Sequence, residues 1–409
     1  MERACARLYV NASHYRQHLP RGTSLDVSAR VPDQTAPRVL VADDQSDVVL
    51  ALRLVLRGAG LDTDAAESIA EIRSRLAAAD YDLVLMDLNY ARDTTSGREG
   101  LDLLSEIHTR DPLLPVVVMT GWGSIETAVE AMRRGARGFV HKPWDNEALA
   151  DAIRREIDDG RATRKVERRA TREQQEAQAI QRALLPAETP AMAGCAIAAR
   201  WIPASAFCGD CYDVTPLDGQ RVALSIADVC GKGLPAALVM ANLQASVRAF
   251  AAADPMPRSV AARVNRELVR NAALRRFVTF FYAIYDHGAR SLAFTNAGHN
   301  PPIVMHADGS VARLSTGGTV LGAFEQVAFD QDAVPLSAGD RVVFFTDGIT
   351  ETRDSADEEF GDDRLIEAIR SHRSAGPAAL VDRIFGEVAR FTAGPAEDDA
   401  TVMVLAIDE

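Results

Sequence analysis

Residues 225–233 read SIADVCGKG, an apolar strand that ends in a carboxylate and runs into a glycine-rich turn. Residues 224–227 predict a buried strand, the two glycines a tight turn, and Pro235 the first position of an apolar helix through Ala249. Asp228 is therefore expected at the end of a strand. Two interpretations fit it: a carboxylate that caps the next helix, or a functional carboxylate.

The chain around this stretch, from Pro190 onward, is rich in short strands. Two pairs of helical patterns interrupt them, at residues 235–252 with 258–273 and at 363–371 with 377–390. This order predicts an α+β domain, a β-sandwich flanked by helices. The predicted strands are residues 197–202, 212–215, 222–227, 278–285, 292–296, 303–305, 342–346 and 401–407.

Acidic residues recur at the ends of these strands, beside glycine in several cases: Asp210, Asp213, Asp228, Asp347 and the pair 398–399. Residues so far apart in sequence converge only through the fold, and converged carboxylates need cations. All are hard oxygen ligands, which favours Mg²⁺ or Mn²⁺ over zinc. Two such ions about 4 Å apart would activate a water and clamp a phosphoryl oxygen.

Composition bounds the remaining possibilities. The 409 residues suffice for two cores and a connector. The net charge of −13 and a pI of about 5.2 argue against binding to nucleic acid or to an anionic membrane. Five cysteines, an odd number, indicate reduced thiols and a cytoplasmic protein. No apolar run approaches about 18 residues, so no membrane span is expected.

The first half has a different pattern. Residues 1–36 have no period and predict a mobile tail, whereas short aliphatic runs alternate with helical segments over residues 37–155. This alternation predicts a doubly wound, flavodoxin-like parallel sheet of five strands with its site at the carboxyl ends of the strands. The runs are residues 39–41, 83–86, 116–119 and 138–140, and the helical segments are 47–59, 68–79, 101–109, 125–134 and 145–157.

Polar residues follow these strands. Asp43 and Asp44 end the first strand, Asp87 the third and Thr120 the fourth, and Lys142 follows the fifth. Three carboxylates at one rim repel one another, and a divalent cation with oxygen ligands relieves that repulsion. A lysine and a hydroxyl nearby would stabilise a phosphoryl group on one aspartate.

With these residues, 37–155 resembles the receiver domain of two-component response regulators. The resemblance implies that Asp87 accepts a phosphoryl group from a histidine kinase. It also implies one Mg²⁺ held by Asp44, Asp87 and the backbone carbonyl of Asn89, with Asp43 assisting.

The same resemblance assigns a switch. Lys142 would contact the phosphoryl group, and Thr120 with Phe139 would form the hydroxyl and aromatic switch pair. One departure concerns the loop of residues 90–99, which is longer than in most receivers and lacks proline. It leaves open the loop conformation and the choice of kinase.

A long helical pattern covers residues 148–185, with Gly160 as its weak point, and residues 156–186 are the predicted linker. The apolar residues form a thin, imperfect heptad: Val166, Ala170, Ala177, Ile180 and Leu184. A solvated single helix and a dimeric coiled coil both fit this pattern. The coiled coil, and thus a homodimer, is preferred because the stripe otherwise has nothing to bury against.

Residues 180–409 resemble the metal-dependent PPM-type serine/threonine phosphatases, most closely their bacterial SpoIIE-like and RsbU-like branch; residues 187–409 are the predicted phosphatase domain. The motifs, in order, are QRALLP at 181–186, GDCYD at 209–213, DVCGKG at 228–233, NAGHNPP at 296–302, TDG at 346–348 and DDAT at 398–401.

The resemblance implies catalytic and metal roles for four aspartates. Asp228 would bridge two Mn²⁺ or Mg²⁺ ions, with the Val229 carbonyl assisting. Asp347 and Asp398 would hold one ion, and Asp210 would support the other. Water activated by the metals would be the nucleophile, with no covalent enzyme intermediate.

Several positions remain open. Asp399 could exchange roles with Asp398, and His299 is either a turn residue or a general acid. Relatives carry Gly, Phe and Ser where this chain has Cys208, Cys211 and Cys230, which are either small substitutes or a redox switch. Ser205 stands where animal relatives have a phosphate-binding arginine, so another group must bind phosphate.

These features predict a response regulator whose receiver controls dephosphorylation of phosphoserine or phosphothreonine on a partner protein. In relatives the substrate is typically a STAS-type anti-anti-sigma factor. The alternative is a catalytically weak adapter that binds a partner through the phosphatase fold. A DNA-binding output is disfavoured because the acidic C-terminal half has no basic recognition helix.

Overall fold

The computed structural model describes residues 36–90, 98–120, 125–186, 189–190, 192, 194–271, 276–392, 394 and 397–408. The predicted tail lies outside the described residues up to position 35, as does most of the loop of residues 90–99. Contacts divide the chain into two compact units, with the division between Arg168 and Arg169.

The N-terminal unit contains a five-stranded parallel sheet in the order β2-β1-β3-β4-β5, which confirms the doubly wound fold. Central strands β3 and β4 are buried along their whole length because helices cover both faces. The elements are β1 (Arg38–Ala42), α1 (Ser46–Gly58), β2 (Asp62–Ala66), α2 (Ile69–Ala78), β3 (Leu83–Asp87), α3 (Arg98–Arg110), β4 (Val116–Thr120), α4 (Ile125–Arg133), β5 (Gly138–His141) and α5 (Asn146–Leu184).

Strand β2 has no aliphatic run to indicate it, since its sequence is DTDAA. It lies at the sheet edge, where the Asp62 side chain faces outward and Asp64 is bound by the Arg38 guanidinium at 2.5 Å and the Tyr81 hydroxyl at 2.9 Å. An edge strand is paired on one side only, so its outward side chains need not be apolar.

Helix α5 runs without a break through the predicted boundary between receiver and linker at residue 155. Beyond that boundary it still contacts the N-terminal unit: Arg161 binds the Asp82 carboxylate through two nitrogens at 2.7 and 2.8 Å, and Arg164 lies 2.7 Å from Asp111. Gly160 faces Pro115. The glycine that weakens the helical pattern is therefore the residue that allows the helix to approach the unit closely.

Replacing Gly160 by Ala is expected to destabilise the N-terminal unit by about 1–3 kcal/mol. Alanine normally favours a helix over glycine by about 1 kcal/mol, but here its Cβ would lie 2.6 Å from Pro115 Cγ. The control is Gly58→Ala at the end of α1, where the added Cβ would have no atom of the described residues within 4 Å beyond its own helix and chain neighbours, and stability should rise slightly. Thermal unfolding of both variants checks this, and a more stable Gly160→Ala would contradict it.

The C-terminal unit contains an antiparallel sheet, β12-β11-β15-β16-β6, and a mixed sheet, β13-β10-β9-β8-β7, in which β14 also pairs with β10. Its elements are β6 (Cys195–Ile202), β7 (Cys211–Pro216), β8 (Arg221–Val229), α6 (Leu234–Ala253), α7 (Pro257–Arg270), β9 (Val278–Asp286), β10 (Ser291–Ala297), β11 (Ile303–Met305), β12 (Val311–Arg313), β13 (Gly317–Gly318), β14 (Asp332–Pro335), β15 (Arg341–Phe345), α8 (Asp347–Thr350), α9 (Gly361–Ser371), α10 (Pro377–Phe391) and β16 (Ala400–Ile407).

The two sheets pack face to face, which confirms the predicted β-sandwich. Phe281 of β9 and Phe344 of β15 meet across the interface, with ring centroids 5.7 Å apart, and one core cluster contains residues of both sheets. Helices α6 and α7 cover the outer face of one sheet, and α9 and α10 cover the other. Strands β8 and β16 are consequently buried on both faces and read as almost continuous apolar runs.

Helix α6 corrects one expectation from the sequence. By length and composition, Leu234–Ala253 is apolar enough to cross a membrane, although no such run was expected. Its apolar residues have another explanation, because Val239, Met240 and Leu243 are buried in the core against the sheet. The helix begins where the sequence predicts it, after Gly231 and Gly233, whose φ angles of 93° and 82° favour glycine.

Candidate active site

The four predicted catalytic aspartates lie at one edge of the sandwich. Asp210 directly precedes β7 and Asp228 is close to the end of β8, its antiparallel neighbour, with Cys211 opposite Ala227. Asp347 directly follows Thr346 after β15, and Asp398 lies just before β16; Phe345 and Val402 pair between these strands. In each antiparallel pair the end of one strand lies beside the start of the other, which places the carboxylates at the same edge.

Asp210 is buried and held by two threonines. Its Oδ2 accepts hydrogen bonds from Thr346 Oγ1 at 2.7 Å and Thr401 Oγ1 at 2.6 Å, and the Thr401 amide donates to Thr346 Oγ1 at 2.9 Å. These bonds connect β7 of one sheet to β15 and β16 of the other. Burial, followed by the charge of Asp228, raises the pKa of Asp210 well above its usual range.

Asp228 lies among further carboxylates. Burial, followed by the charges of Asp347, Asp398 and Asp399, raises its pKa to about 7. Burial and the charge of Asp398 likewise raise the pKa of Asp347. Carboxylates that resist ionisation because they repel one another are a donor set for hard divalent cations, so the residues fit the metals that the sequence implies.

Gly209 allows this cluster to close. A Cβ at this position would lie 2.9 Å from the Val229 carbonyl oxygen and 3.4 Å from Asp228 Oδ1. The backbone before Asp210 therefore packs directly against the end of β8. The Val229 carbonyl oxygen and Asp228 Oδ1 thus both lie close to Gly209.

Asp398 and Asp399 have different environments. Asp399 is buried, and its two oxygens accept hydrogen bonds from the Ala204 and Gly209 amides, both at 2.8 Å. Asp398 is half exposed, and its Oδ2 lies 3.1 Å from Lys232 Nζ. Asp399 thus holds the backbone before Asp210, whereas Asp398 presents its carboxylate to the open side.

A cleft of about 600 Å³ adjoins these residues. Lys232, Asp398 and Gly348 lie on its wall, with Glu351, Arg353 and other polar residues around them. Lys232 Nζ also donates to the Glu397 carbonyl at 2.6 Å. A phosphorylated side chain that entered this cleft would meet a lysine beside the carboxylate cluster.

His299 has the environment of a structural residue. It is buried, its amide donates to Asn296 Oδ1 at 2.8 Å, and its Nδ1 lies 2.8 Å from Thr279 Oγ1. Burial lowers its pKa to about 4. This geometry supports the turn interpretation, because a general acid needs access to the reacting group and a pKa near the working pH.

The buried His299 makes the free energy of unfolding depend on pH. The unfolded state binds a proton near pH 6.5 and the folded state only near pH 4. The contribution of His299 to the free energy of unfolding is therefore constant above pH 6.5 and falls as the pH drops to 4. His299→Gln is expected to reduce this fall by roughly 3 kcal/mol. Urea unfolding at pH 7 and pH 4.5, with a chelator present, measures it. An unchanged fall in the variant would contradict the prediction.

The cysteines beside the site are poorly suited to redox chemistry. Cys208 and Cys211 are buried, and burial together with the charge of Asp210 raises the pKa of both thiols. Cys208 Sγ accepts a hydrogen bond from Trp201 Nε1 at 2.8 Å. Since the thiolate is the reactive form, these contacts favour the interpretation as small core residues.

The N-terminal unit also brings its predicted site residues together. Asp43, Asp44 and Asp87 each offer an oxygen within 4.8 Å of the others, the only such acidic triplet among the described residues. Lys142 Nζ lies 2.6 Å from Asp43 Oδ2 and 3.2 Å from Asp87 Oδ2. Burial raises the pKa of Asp87, partly offset by Lys142. This donor set fits a hard cation.

The predicted switch residues differ in exposure. Thr120 is buried at the end of β4, whereas Phe139 is 58% exposed on β5. Asn89 follows Asp87 on the loop after β3. Tyr90 next to it is buried, and its hydroxyl has no hydrogen-bond partner among the described residues.

Sequence reasoning missed several residues at the sandwich edge. The sequence indicates Lys232 only as part of a glycine turn, and its motifs contain Thr346 and Thr401 without indicating a role for them. Arg276, whose guanidinium donates to the Cys230 carbonyl beside Gly231, had no signal in the sequence. The Thr-Asp-Gly and Asp-Asp-x-Thr spacings were the available clue to the threonines.

Comparison with known proteins identifies both units. Residues 218–408 match the family described as "Stage II sporulation protein E (SpoIIE)", and residues 39–154 match "Response regulator receiver domain". Phosphoserine phosphatase RsbU of Bacillus subtilis is 30% identical over 228 residues, which cover 55% of this chain and 67% of RsbU.

Two proteins of Pseudomonas aeruginosa complete the comparison. Response regulator protein PilR is 36% identical over 121 residues, 29% of this chain and 26% of PilR. The solved SiaA-PP2C domain superposes with a TM-score of 0.53 at 20% identity, over 59% of this chain and 99% of that domain. At that identity the likeness concerns the fold of the C-terminal unit alone.

Proposed function

Because the chain belongs to the SpoIIE family of phosphatases and carries a response regulator receiver domain, we propose that it removes phosphate from phosphoserine or phosphothreonine on a partner protein under control of phosphorylation at Asp87. The substrate proposed is a STAS-type anti-anti-sigma factor in a partner-switching pathway. The observation that carries this proposal is the meeting of Asp210, Asp228, Asp347 and Asp398 at one edge of the sandwich, beside an open cleft.

In this proposal the aspartates would hold two Mn²⁺ or Mg²⁺ ions. Asp228, with help from the Val229 carbonyl, would be shared by both ions, Asp347 and Asp398 would hold one, and Asp210 would support the other. When bound, the ions activate water and neutralise charge on the phosphoryl group. We give Asp399 a structural role, holding the backbone before Asp210, because both of its oxygens accept hydrogen bonds from backbone amides.

Other residues of the chain position Asp210 and the phosphate of the substrate. Thr346 and Thr401 hold Asp210 through its Oδ2, so that its other oxygen is the one left for a ligand. Lys232, half exposed on the cleft wall, supplies a cation for the phosphate of the substrate. Lys232 would thereby provide part of the phosphate binding that an arginine at the position of Ser205 provides in animal relatives.

In the receiver, Asp87 accepts the phosphoryl group of a histidine kinase: a phosphorus–nitrogen bond breaks and a phosphorus–oxygen bond to the carboxylate forms. Asp44, Asp87 and the Asn89 carbonyl would hold one Mg²⁺ with Asp43 assisting, and the close spacing of the three carboxylates supports this. Lys142 contacts the phosphoryl group. Thr120 and Phe139 are the proposed switch pair.

The chain is further proposed to be a cytoplasmic homodimer that binds neither nucleic acid nor membrane. Val166 and Ile180 on α5 are 67% and 66% exposed, which leaves an apolar stripe available for a second copy of the helix. The negative net charge supports the absence of nucleic-acid binding.

The test is release of phosphate from a purified phosphoserine STAS-type protein by the full-length chain, with Mn²⁺, Mg²⁺ or a chelator, and with or without a small-molecule phosphodonor. Metal-dependent release that changes with the phosphodonor supports the proposal. Binding of the phosphoprotein without release, and no hydrolysis of p-nitrophenyl phosphate, would identify the adapter alternative instead.

A further inference from the structure

The last turn of α5 contains a buried residue with two hydrogen bonds. Gln181 is only 5% exposed, whereas its neighbours Arg182 and Ala183 face solvent. Its Nε2 donates to the Cys208 carbonyl at 2.6 Å, and its Oε1 accepts from the Cys208 amide at 3.3 Å. One carboxamide thus satisfies both backbone groups of a single residue, in the manner of a paired strand.

Cys208 lies two residues before Asp210. The residue between them, Gly209, has its amide held by Asp399 at 2.8 Å and packs against the Val229 carbonyl. The backbone leading to Asp210 is therefore hydrogen-bonded by two side chains, Asp399 at Gly209 and Gln181 at Cys208.

The same turn is bound to α6. The Leu184 carbonyl accepts hydrogen bonds from Gln244 Nε2 at 2.9 Å and Arg248 Nη2 at 3.1 Å. Arg248 also binds the Asp213 carboxylate on β7. The turn is thus connected to the helix that follows the Asp228 loop as well as to the backbone before Asp210.

We propose that Gln181 is a positioning residue of the phosphatase site, which sets Asp210 through the backbone of Cys208. The inference rests on the proposed function and adds a residue of the linker helix to its machinery. Without the carboxamide, the buried Cys208 N–H and C=O lose their partners, and the segment shifts to regain them. Groups that orient metal ligands typically change metal affinity or activity 10–100-fold when replaced.

The experiment compares full-length Gln181→Met, Gln181→Ala and Gln175→Ala. Methionine keeps the volume and helix propensity of glutamine but removes both hydrogen bonds. Gln175 is an exposed glutamine of the same helix and serves as the matched control. All variants carry Asp44→Ala, so that the receiver takes up no Mn²⁺. Mn²⁺ binding is measured by calorimetry, and hydrolysis of p-nitrophenyl phosphate over an Mn²⁺ titration.

Both Gln181 variants are expected to bind Mn²⁺ at least about tenfold more weakly and to lose about tenfold in kcat at saturating metal, with little change in KM. Gln175→Ala should match the parent. Parent-like Mn²⁺ affinity and kcat in Gln181→Met would overturn the inference, as would a change confined to KM. If the parent binds Mn²⁺ but hydrolyses nothing, weaker binding by Gln181→Met still supports the positioning role, while the proposed function fails.

Discussion

Asp228→Asn is expected to lower phosphate release at least about 10³-fold, equivalent to about 4 kcal/mol of transition-state stabilisation. The amide keeps the size of the side chain but lacks the negative charge that Asp228 would contribute as the proposed bridging ligand. The negative charges of Asp347, Asp398 and Asp399 also raise the pKa of Asp228, so its replacement changes the electrostatic interactions of all of these carboxylates.

The measurement is the initial rate on a phosphoserine protein and on p-nitrophenyl phosphate at saturating Mn²⁺. Asp363→Asn, an exposed acidic residue of α9 in the same unit, is the matched control and should retain the parent rate. The loss should appear with both substrates, since it concerns the chemistry rather than recognition. A rate within threefold of the parent would rule out the metal-bridging role.

Asp87→Asn is expected to abolish both labelling of the receiver by a phosphodonor and the effect of the phosphodonor on phosphate release. An amide oxygen is a poor nucleophile toward phosphorus, and the amide loses its ion pair with Lys142, at 3.2 Å. The quantity to compare is the ratio of rates with and without phosphodonor, which should become one.

Asp62→Asn, an exposed aspartate of β2 in the same unit, controls for the loss of one negative charge and should be labelled like the parent. Labelling is measured on gels that retard phosphoproteins. If Asp87→Asn still responds to the phosphodonor, the phosphoryl group enters elsewhere and the assignment of Asp87 is wrong.

Periodicity and turn signals predicted the fold class of both units, because both are built from buried strands with continuous apolar sequences. They did not indicate β2, whose DTDAA sequence is shaped by its position at an edge. They also missed the short strands β12, β13 and β14, since two to four residues are too few to show a period.

The residues of the candidate site likewise fall into those that the sequence indicates and those that it does not. Strand ends and glycine turns pointed to the aspartates, whose roles remain predictions. The groups that hold them had no comparable signal. Thr346 and Thr401 meet Asp210 across two sheets, and Gln181 reaches Cys208 from a helix 27 positions away in sequence. Such contacts depend on how elements pack, which no local pattern records.

Helix α5 carries a consequence for the evolution of chain length. It is one hydrogen-bonded helix of 39 residues, and every residue inserted into a helix turns all that follows by about 100°. Among chains of this architecture we therefore expect no single-residue insertion between Gln181 and Leu184. Such an insertion would turn the carboxamide that holds Cys208 by about 100° relative to the carbonyl that Gln244 and Arg248 bind.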